Sequence, residues 1–171
     1  FAAANAVDIP PERVSRAISV LAQKAGIYGM VGGQVMDVDF EKNGANGEEL
    51  TAMYIKKTSC LLEAAAMCGA VLAGADEETV KKTEEYAENL GLAFQITNDI
   101  LDCTADEKTL GKPIGSDKKN GKTTFVTLLG LDGAKQKAAL LTKKAEDILN
   151  GFSGDTSYLK ELTEYLLNRN Y

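Results

Sequence analysis

Polar side chains that suit metal ions are concentrated in FQITNDILD, residues 94–102, within an otherwise apolar stretch. A helix turns by about 100° per residue, so these side chains and one further acid share an arc about 100° wide. The residues on this arc are Gln95, Asn98, Asp99, Asp102 and Asp106. Carboxylate and amide oxygens suit Mg²⁺, which accepts one or two carboxylates and completes its shell with water and phosphate oxygens. The pattern fits a metal clamp and also a solvated helix face, although it lacks the lysines that a solvated face normally carries.

A lysine-rich loop follows this acidic stripe. The segment ADEKTLGKPIGSDKKNGK, residues 105–122, holds five lysines against three acids, with three glycines and no apolar periodicity. Lys112 and Lys122 flank its Gly-rich part, so their ammonium groups could close over a diphosphate held by a metal. The same lysines would be solvated if the stripe bound nothing, so the loop leaves both interpretations open.

A lysine also occurs inside an apolar helical pattern, in YIKKTSCLLEAAA, where Lys57 precedes Thr58. A buried lysine is costly unless it is paired with an anion. Gln34 and Asp37, three positions apart in a Gly-rich segment, could orient Lys57 or balance its charge. The alternative is a lysine whose stem lies on apolar surface while its ammonium group reaches water.

The composition limits the classes of protein to consider. A chain of 171 residues with 44% hydrophobic residues and three prolines predicts one all-α domain over residues 1–171. Its net charge of -6 excludes a general nucleic-acid surface, and the absence of histidine excludes His-based triads. Three cysteines without metal-ligand spacing predict free thiols in a reducing cytoplasm. The longest apolar run is interrupted by Glu63 and is shorter than a membrane span of roughly 20 residues, and no signal peptide is visible.

Helical periodicity and capping residues place these groups on elements. A helix is predicted from Pro11 to near Gly26, one long buried helix from Glu48 to Ala73, and another after Asp76, over residues 77–104. The apolar face of the first helix, residues 14–21, reads either as core or as a subunit interface. Further helices are predicted after the lysine-rich loop. The Gly-rich segment between the first two helices predicts the close approach of a neighbouring helix or ligand at its glycines, Gly29, Gly32 and Gly33.

Four segments in this order resemble the C-terminal part of trans-isoprenyl diphosphate synthases, above all the bacterial farnesyl diphosphate synthase type. They are GGQVMD, KKTS, FQITNDILD and LGKPIGSDKKNGKTT. The resemblance extends from near residue 1 to the final LLNRN, and four ordered motifs are far more specific than any one of them. It implies an isoprenoid synthase-type bundle of long helices around a central cavity, of which this chain supplies the C-terminal helices only.

The resemblance also implies roles for the polar residues. Asn98, Asp99 and Asp102 match an aspartate-rich motif that binds Mg²⁺, with Mn²⁺ as an alternative ion, and Asp99 and Asp102 are implied to be catalytic together with Lys57. The groups implied to contact the diphosphate or its surroundings are Lys57, Thr58, Gln95, Lys112 and Lys122. Gln34 and Asp37 match a Gly-Gln-x-x-Asp motif that supports the site, in which Asp37 can pair with Lys57.

The chain departs from the family pattern in two places. The first aspartate-rich motif, D-D-x-x-D, occurs nowhere in these residues. The chain also opens on FAAANA, which reads as the last turns of a helix, so we expect a fragment that is inactive as a prenyltransferase alone. In the second motif Asn98 stands where the family usually has aspartate. An amide oxygen can ligate Mg²⁺ but brings no charge, which predicts weaker metal binding.

The activity implied by the resemblance is that of a geranyltranstransferase, which condenses an allylic diphosphate with isopentenyl diphosphate to give farnesyl diphosphate. A geranylgeranyl or longer-chain synthase is the alternative within this chemistry, and a non-catalytic regulatory subunit of a heteromeric synthase is an alternative outside it. The family commonly forms homodimers, so we expect a cytoplasmic homodimer with no membrane span and no nucleic-acid partner.

Overall fold

The computed structural model describes residues 8–104 and 121–167. Within these ranges the chain forms seven α-helices and one π-helical turn, and no strand occurs among the described residues. The helices are α1 Pro11–Ala25, α2 Met30–Asn43, α3 Gly47–Tyr54, α4 Cys60–Ala73, α5 Glu77–Thr104, α6 Phe125–Asn150 and α7 Ser157–Leu167. The predicted all-α class is therefore confirmed. None of the helices in the described ranges is long and apolar enough to cross a membrane.

The long helix predicted over residues 48–73 contains a turn that periodicity did not reveal. Asn46 caps α3 through a capping box with Glu49. Between α3 and α4 lies the π-helical turn Ile55–Ser59, with the sequence IKKTS. A π-helical turn inserts an extra residue into a helix, and such turns are frequent at functional sites. The prediction of an unbroken α-helix was wrong at this turn, which carries Lys57 and Thr58.

Helix α5 forms the centre of the fold. It begins as predicted after Asp76, whose Oδ1 accepts a hydrogen bond from the Thr79 N–H at 2.7 Å. It packs mainly against α4 and α6. Its C-terminal half shares a core cluster with α3 and α6, formed by residues such as Met53, Ile96 and Phe125. This packing places the acidic stripe of α5 beside the end of α3.

Helix α6 begins at Phe125, three residues after Lys122, and contains a kink. Thr124 caps it through reciprocal hydrogen bonds with Thr127. Two helical segments of α6 meet at Gly130, where the backbone is not helical and φ is 72°. Glycine adopts this left-handed conformation without a Cβ penalty.

A buried group of charges joins α1 to α4 and α5. Lys24 donates hydrogen bonds to Glu63 and, at 2.6 Å, to Oε1 of Glu84. Glu63 is 1% exposed, and its Oε1 has no hydrogen-bond partner among the described residues. Burial raises the pKa of Glu63, and the nearby charges of Glu88 and Glu84 raise it further. The hydrogen bond and charge of Lys24 lower this pKa but do not cancel the increase.

Candidate active site

The π-helical turn is held between two glycines on neighbouring helices. A Cβ at Gly33 of α2 would lie 2.2 Å from the backbone nitrogen of Lys57, and a Cβ at Gly91 of α5 would lie 2.7 Å from Cα of Ser59. Both distances are too short for any side chain, so only glycine permits this packing. The predicted close approach of a neighbouring helix is confirmed at Gly33. It brings the backbone of the turn, and with it Lys57 and Thr58, against α2 and α5.

Two lysines converge on one buried carboxylate. Lys57 donates a hydrogen bond to Oδ2 of Asp37, and Nζ of Lys122 lies 3.0 Å from Oδ1 of the same residue. Asp37 is 4% exposed, whereas the side chains of Lys57 and Lys122 are 32% and 24% exposed. Burial on its own would raise the pKa of Asp37, but the hydrogen bonds and charges of the two lysines lower it below its ordinary value. The geometry contains the pairing that the resemblance implied between Lys57 and Asp37, and it adds Lys122.

The hydroxyl of Thr58 connects the π-helical turn to the acidic stripe. Its Oγ1 donates a hydrogen bond to Oε1 of Gln95 at 3.1 Å. Both side chains are partly buried. The two residues that the resemblance placed near a diphosphate are therefore in direct contact across α5 and the turn.

The acidic stripe is not a solvated helix face. Asp99 is 3% exposed and Asp102 is 2% exposed, whereas Asn98 is partly exposed. Oδ2 of Asp99 accepts hydrogen bonds from the Tyr54 hydroxyl at 2.8 Å and from the Phe125 N–H at 3.1 Å. Burial of two carboxylates at this spacing is costly unless protein groups, a cation or both compensate it. The solvated-stripe interpretation is therefore wrong for both aspartates.

The remaining predicted site residues fall into two groups. Gln34 is exposed, and no hydrogen bond links its side chain to the described part of the chain. Lys112 and Asp106 lie outside the described residues. Tyr54 was missed by sequence reasoning, because it appears as one more apolar position of a buried helix. The backbone N–H of Phe125 could not have been found, since no side-chain pattern marks it.

The donor set around Asp99 fits a hard cation. Within the described ranges no group of three or more Asp, Glu, His or Cys side chains is arranged to hold a metal ion. Mg²⁺ does not require such a cage, because it is commonly held by one or two carboxylates, water and substrate phosphates. Asn98, Asp99 and Asp102 offer only oxygen ligands, which suit Mg²⁺ better than zinc or copper. The residues therefore fit one side of a Mg²⁺ site that a phosphate ligand completes.

Comparison with known proteins gives consistent results. A family model described as polyprenyl synthetase matches residues 4–165. A geranylgeranyl diphosphate synthase of Cyanophora paradoxa is 36% identical over 171 residues, which cover 99% of this chain and 57% of that protein. A farnesyl diphosphate synthase of Bacillus subtilis is 37% identical over 164 residues, which cover 96% of this chain and 55% of that protein.

A solved structure shares the fold. The geranyltransferase of Helicobacter pylori, in a crystal structure complexed with magnesium and isoprenyl diphosphate, has a TM-score of 0.81 and 34% sequence identity. The match covers 97% of this chain and 54% of that one.

The fold and the site together define an all-α protein of the isoprenoid synthase class, with lysines and buried acids gathered around a π-helical turn. The chain belongs to the polyprenyl synthetase family. It spans about half the length of the relatives that it matches.

Proposed function

We propose that this chain supplies the C-terminal half of a trans-prenyl diphosphate synthase site, as one domain over residues 1–171. In this site an allylic diphosphate, dimethylallyl or geranyl, condenses with isopentenyl diphosphate. The observation that carries the proposal is the convergence of Lys57 and Lys122 on Asp37, next to the buried acids of α5. Two cations that reach one carboxylate can also reach the oxygens of one diphosphate.

The diphosphate is bound by the lysines and their neighbours. Lys57 and Lys122 contact its oxygens, Lys112 does so from the lysine-rich loop, and Thr58 with Gln95 borders the same place. Asp37 supports this arrangement and keeps the ammonium groups of Lys57 and Lys122 together before substrate arrives, whereas the exposed Gln34 makes no hydrogen bond to them within the described residues. Cations placed where negative charge develops stabilise the transition state of diphosphate departure.

Mg²⁺, or Mn²⁺ in its place, would be held by Asn98, Asp99 and Asp102 on this side of the site. When bound, the ion supplies positive charge to the departing diphosphate. Asp99 and Asp102 are both buried, and the Tyr54 hydroxyl and the Phe125 N–H orient the carboxylate of Asp99.

The reaction begins when the bond between the allylic carbon and its diphosphate oxygen breaks and the electron pair leaves with the diphosphate. The double bond of isopentenyl diphosphate attacks the allylic cation, a carbon–carbon bond forms, and a proton passes to the released diphosphate. No histidine is required. Water must be kept from the cation, and apolar side chains such as Ala64, Phe94 and Ile100 provide dry walls. Ala64 is 1% exposed, and Ile100 packs against the core shared by α3, α5 and α6.

Farnesyl diphosphate is the product that we propose, which makes the parent activity that of a geranyltranstransferase. A geranylgeranyl or longer product is the second candidate, because the relatives are named for both products. A non-catalytic regulatory subunit is a third, and Asn98 is the residue that supports it. A cytoplasmic location also remains a prediction, since relatives of Arabidopsis thaliana are named as chloroplastic or mitochondrial.

A fusion protein tests the activity. The part of the Helicobacter pylori geranyltransferase that this chain does not match is fused to residues 1–171, and labelled isopentenyl diphosphate is supplied with dimethylallyl or geranyl diphosphate. We expect turnover by the fusion, none by the chain alone, and loss of turnover in the Lys57→Met fusion. Chromatography of the products distinguishes farnesyl from geranylgeranyl diphosphate.

Two outcomes would contradict parts of this proposal. A folded fusion without turnover would favour the regulatory subunit, which is then tested by adding the chain to an active synthase and measuring a change in rate or product. Turnover by the chain alone would overturn the proposal that it carries half of the site.

A homodimer is the assembly that we propose. The apolar face predicted on α1 is only partly buried in the fold. Val14 and Ala17 are buried, whereas Ile18 and Leu21 are 40% and 44% exposed. Helix α2 and the turn before it add a larger exposed apolar stripe, formed by Tyr28 in the turn and by Val31, Val35 and Val38 in the helix. This stripe lies opposite the face of α2 that packs on the π-helical turn. A helix that is apolar on both faces is normally buried on both, which supports contact with a second copy.

A further inference from the structure

A single carboxylate oxygen joins three elements at the centre of the site. Tyr54, the last residue of α3, is 2% exposed and donates its hydroxyl hydrogen bond to Oδ2 of Asp99 at 2.8 Å. The N–H of Phe125, the first residue of α6, donates to the same oxygen at 3.1 Å. The rings of Tyr54 and Phe125 pack edge to face, with centroids 5.6 Å apart and an interplanar angle of 67°. The hydroxyl and the amide therefore meet at one carboxylate oxygen.

Each of these three residues adjoins a group of the proposed site. Tyr54 directly precedes the π-helical turn that carries Lys57. Asp99 lies in the acidic stripe of α5. Phe125 follows Lys122 by three residues, so the position of the first turn of α6 sets how far Nζ of Lys122 can reach. A carboxylate at the N-terminus of a helix is also favourable, because the first N–H groups carry partial positive charge and lack helical partners.

We propose that Tyr54 is a positioning residue of the diphosphate site, which acts through Asp99 on the start of α6 and thereby on Lys122. The inference rests on the proposed function. The phenol hydroxyl fixes the orientation of the Asp99 carboxylate, and the oriented carboxylate holds the Phe125 N–H. The first turn of α6 then keeps Nζ of Lys122 within 3.0 Å of Asp37. Without the hydroxyl, the Asp99 carboxylate loses one of the hydrogen bonds that orient it, and the start of α6 that carries Lys122 is held less firmly.

The matched pair Tyr54→Phe and Tyr86→Phe tests this inference. Tyr86 is 4% exposed, and its hydroxyl is 2.8 Å from Oγ1 of Thr163, in a separate core cluster. Each substitution removes one buried hydroxyl together with its hydrogen bonds while keeping the ring. Y54F also keeps the ring that packs on Phe125. Thermal unfolding of both variants measures how much each substitution lowers the stability of the whole fold. The local changes in hydrogen exchange and binding are then compared after correction for that loss.

The first measurement is amide hydrogen exchange of the 171-residue chain by NMR, which does not depend on any activity. We expect Y54F to accelerate exchange of the Phe125 amide by roughly tenfold, because a hydrogen bond to a charged group loses its orientation. Tyr86→Phe is expected to leave this amide unchanged after correction for global stability. Equal exchange at Phe125 in the two variants would overturn the inference.

The second measurement is calorimetric binding of inorganic diphosphate in the presence of Mg²⁺ by the same chain. We expect Y54F to weaken binding by roughly fivefold or more, and Y86F to match the wild type. Lys57→Met serves as the reference for a lost binding group. Wild-type affinity in Y54F would overturn the inference while leaving the proposed function intact. Absence of diphosphate binding by the wild-type chain would instead overturn the diphosphate site itself, and the role of Tyr54 with it.

Discussion

Lys57 of the π-helical turn and Asp37 of α2 form a hydrogen-bonded ion pair between residues 20 positions apart, and Lys122 shares the same carboxylate. These three side chains, one anion and two cations, therefore carry one net positive charge. The whole protein carries a net charge of -6. A local excess of positive charge in an acidic protein suits an anionic ligand, and the half-exposed lysines are reachable from solvent.

Removing the carboxylate should destabilise the fold. We expect Asp37→Asn to lower the free energy of unfolding by about 1–3 kcal/mol at pH 7, because the two lysines lose their anion. The pKa of Asp37 is lowered in the folded state, so its contribution is present above the unfolded pKa of about 3.9 and is lost as the pH falls through the folded pKa. Urea unfolding at pH 7 and below pH 3.9 measures both effects.

The matched control for this substitution is Asp39→Asn on the same helix. Asp39 is exposed and accepts a hydrogen bond from Nδ2 of Asn43 at 2.9 Å. We expect D39N to change stability by less than about 0.5 kcal/mol. Equal losses in D37N and D39N would show that the lysine pair adds nothing to stability.

The two glycines that hold the π-helical turn should not tolerate alanine. We expect Gly33→Ala and Gly91→Ala each to destabilise the fold by about 2 kcal/mol or more. The added Cβ would collide with backbone atoms of the π-helical turn in the first variant and with Ser59 in the second. Gly69 of α4 is the control, since a Cβ there meets nothing within 4 Å. Gly69→Ala should stabilise the helix by about 0.5–1 kcal/mol. Circular dichroism melts compare the three variants, and a neutral G33A would contradict the tight packing.

The buried Glu63 predicts a pH dependence of opposite sign to that of Asp37. Its pKa is raised in the folded state, so its contribution to stability is present below the unfolded pKa of about 4.3 and is lost as the pH rises through the folded pKa. We expect the wild type to lose stability relative to Glu63→Gln between pH 4 and pH 8. Urea unfolding across this range measures the difference. Glu161→Gln, an exposed change on α7, should show no such trend. A pH-independent difference between the wild type and E63Q would contradict the prediction.

Restoring a carboxylate in the second motif should strengthen metal binding. In the fusion with the Helicobacter pylori segment, we expect Asn98→Asp to lower the Mg²⁺ concentration needed for half-maximal turnover, because a charged ligand replaces a neutral one. Asn89→Asp adds the same charge nine positions earlier on α5, roughly 13 Å away along the helix, and should leave the requirement unchanged. A Mg²⁺ requirement that N98D does not change would remove Asn98 from the metal ligands.

A charge in the exposed stripe of α2 should weaken self-association. Val35 is 65% exposed, and Leu140 on α6 is 56% exposed. We expect Val35→Lys to shift the chain towards monomer in light scattering coupled to size exclusion, and Leu140→Lys to leave its mass unchanged. The opposite result would be a monomeric wild-type chain in which V35K impairs only assembly of the fusion. The exposed stripe would then contact the other half of the enzyme.

The extent of α5 was predictable because it follows from local rules. Asp76 caps α5 where expected, and apolar periodicity predicted a helix as far as Thr104, as the structure shows. The acidic stripe was also predictable, since a period of 3.6 residues places Asp99 and Asp102 on one face. These features depend only on the order of residues within one segment.

The burial of that stripe, and the partners of its members, were decided by packing. A π-helical turn leaves no mark in apolar periodicity, and it forms at IKKTS where Gly33 and Gly91 allow two helices to approach. Lys122 reaches Asp37, and Tyr54 reaches Asp99, only after α2, α3, α5 and α6 have packed together. A hydrogen bond between distant residues depends on distance in space. Sequence spacing and the family resemblance therefore indicated the groups that we propose to hold a diphosphate and a metal, and the tertiary contacts determined which of them meet.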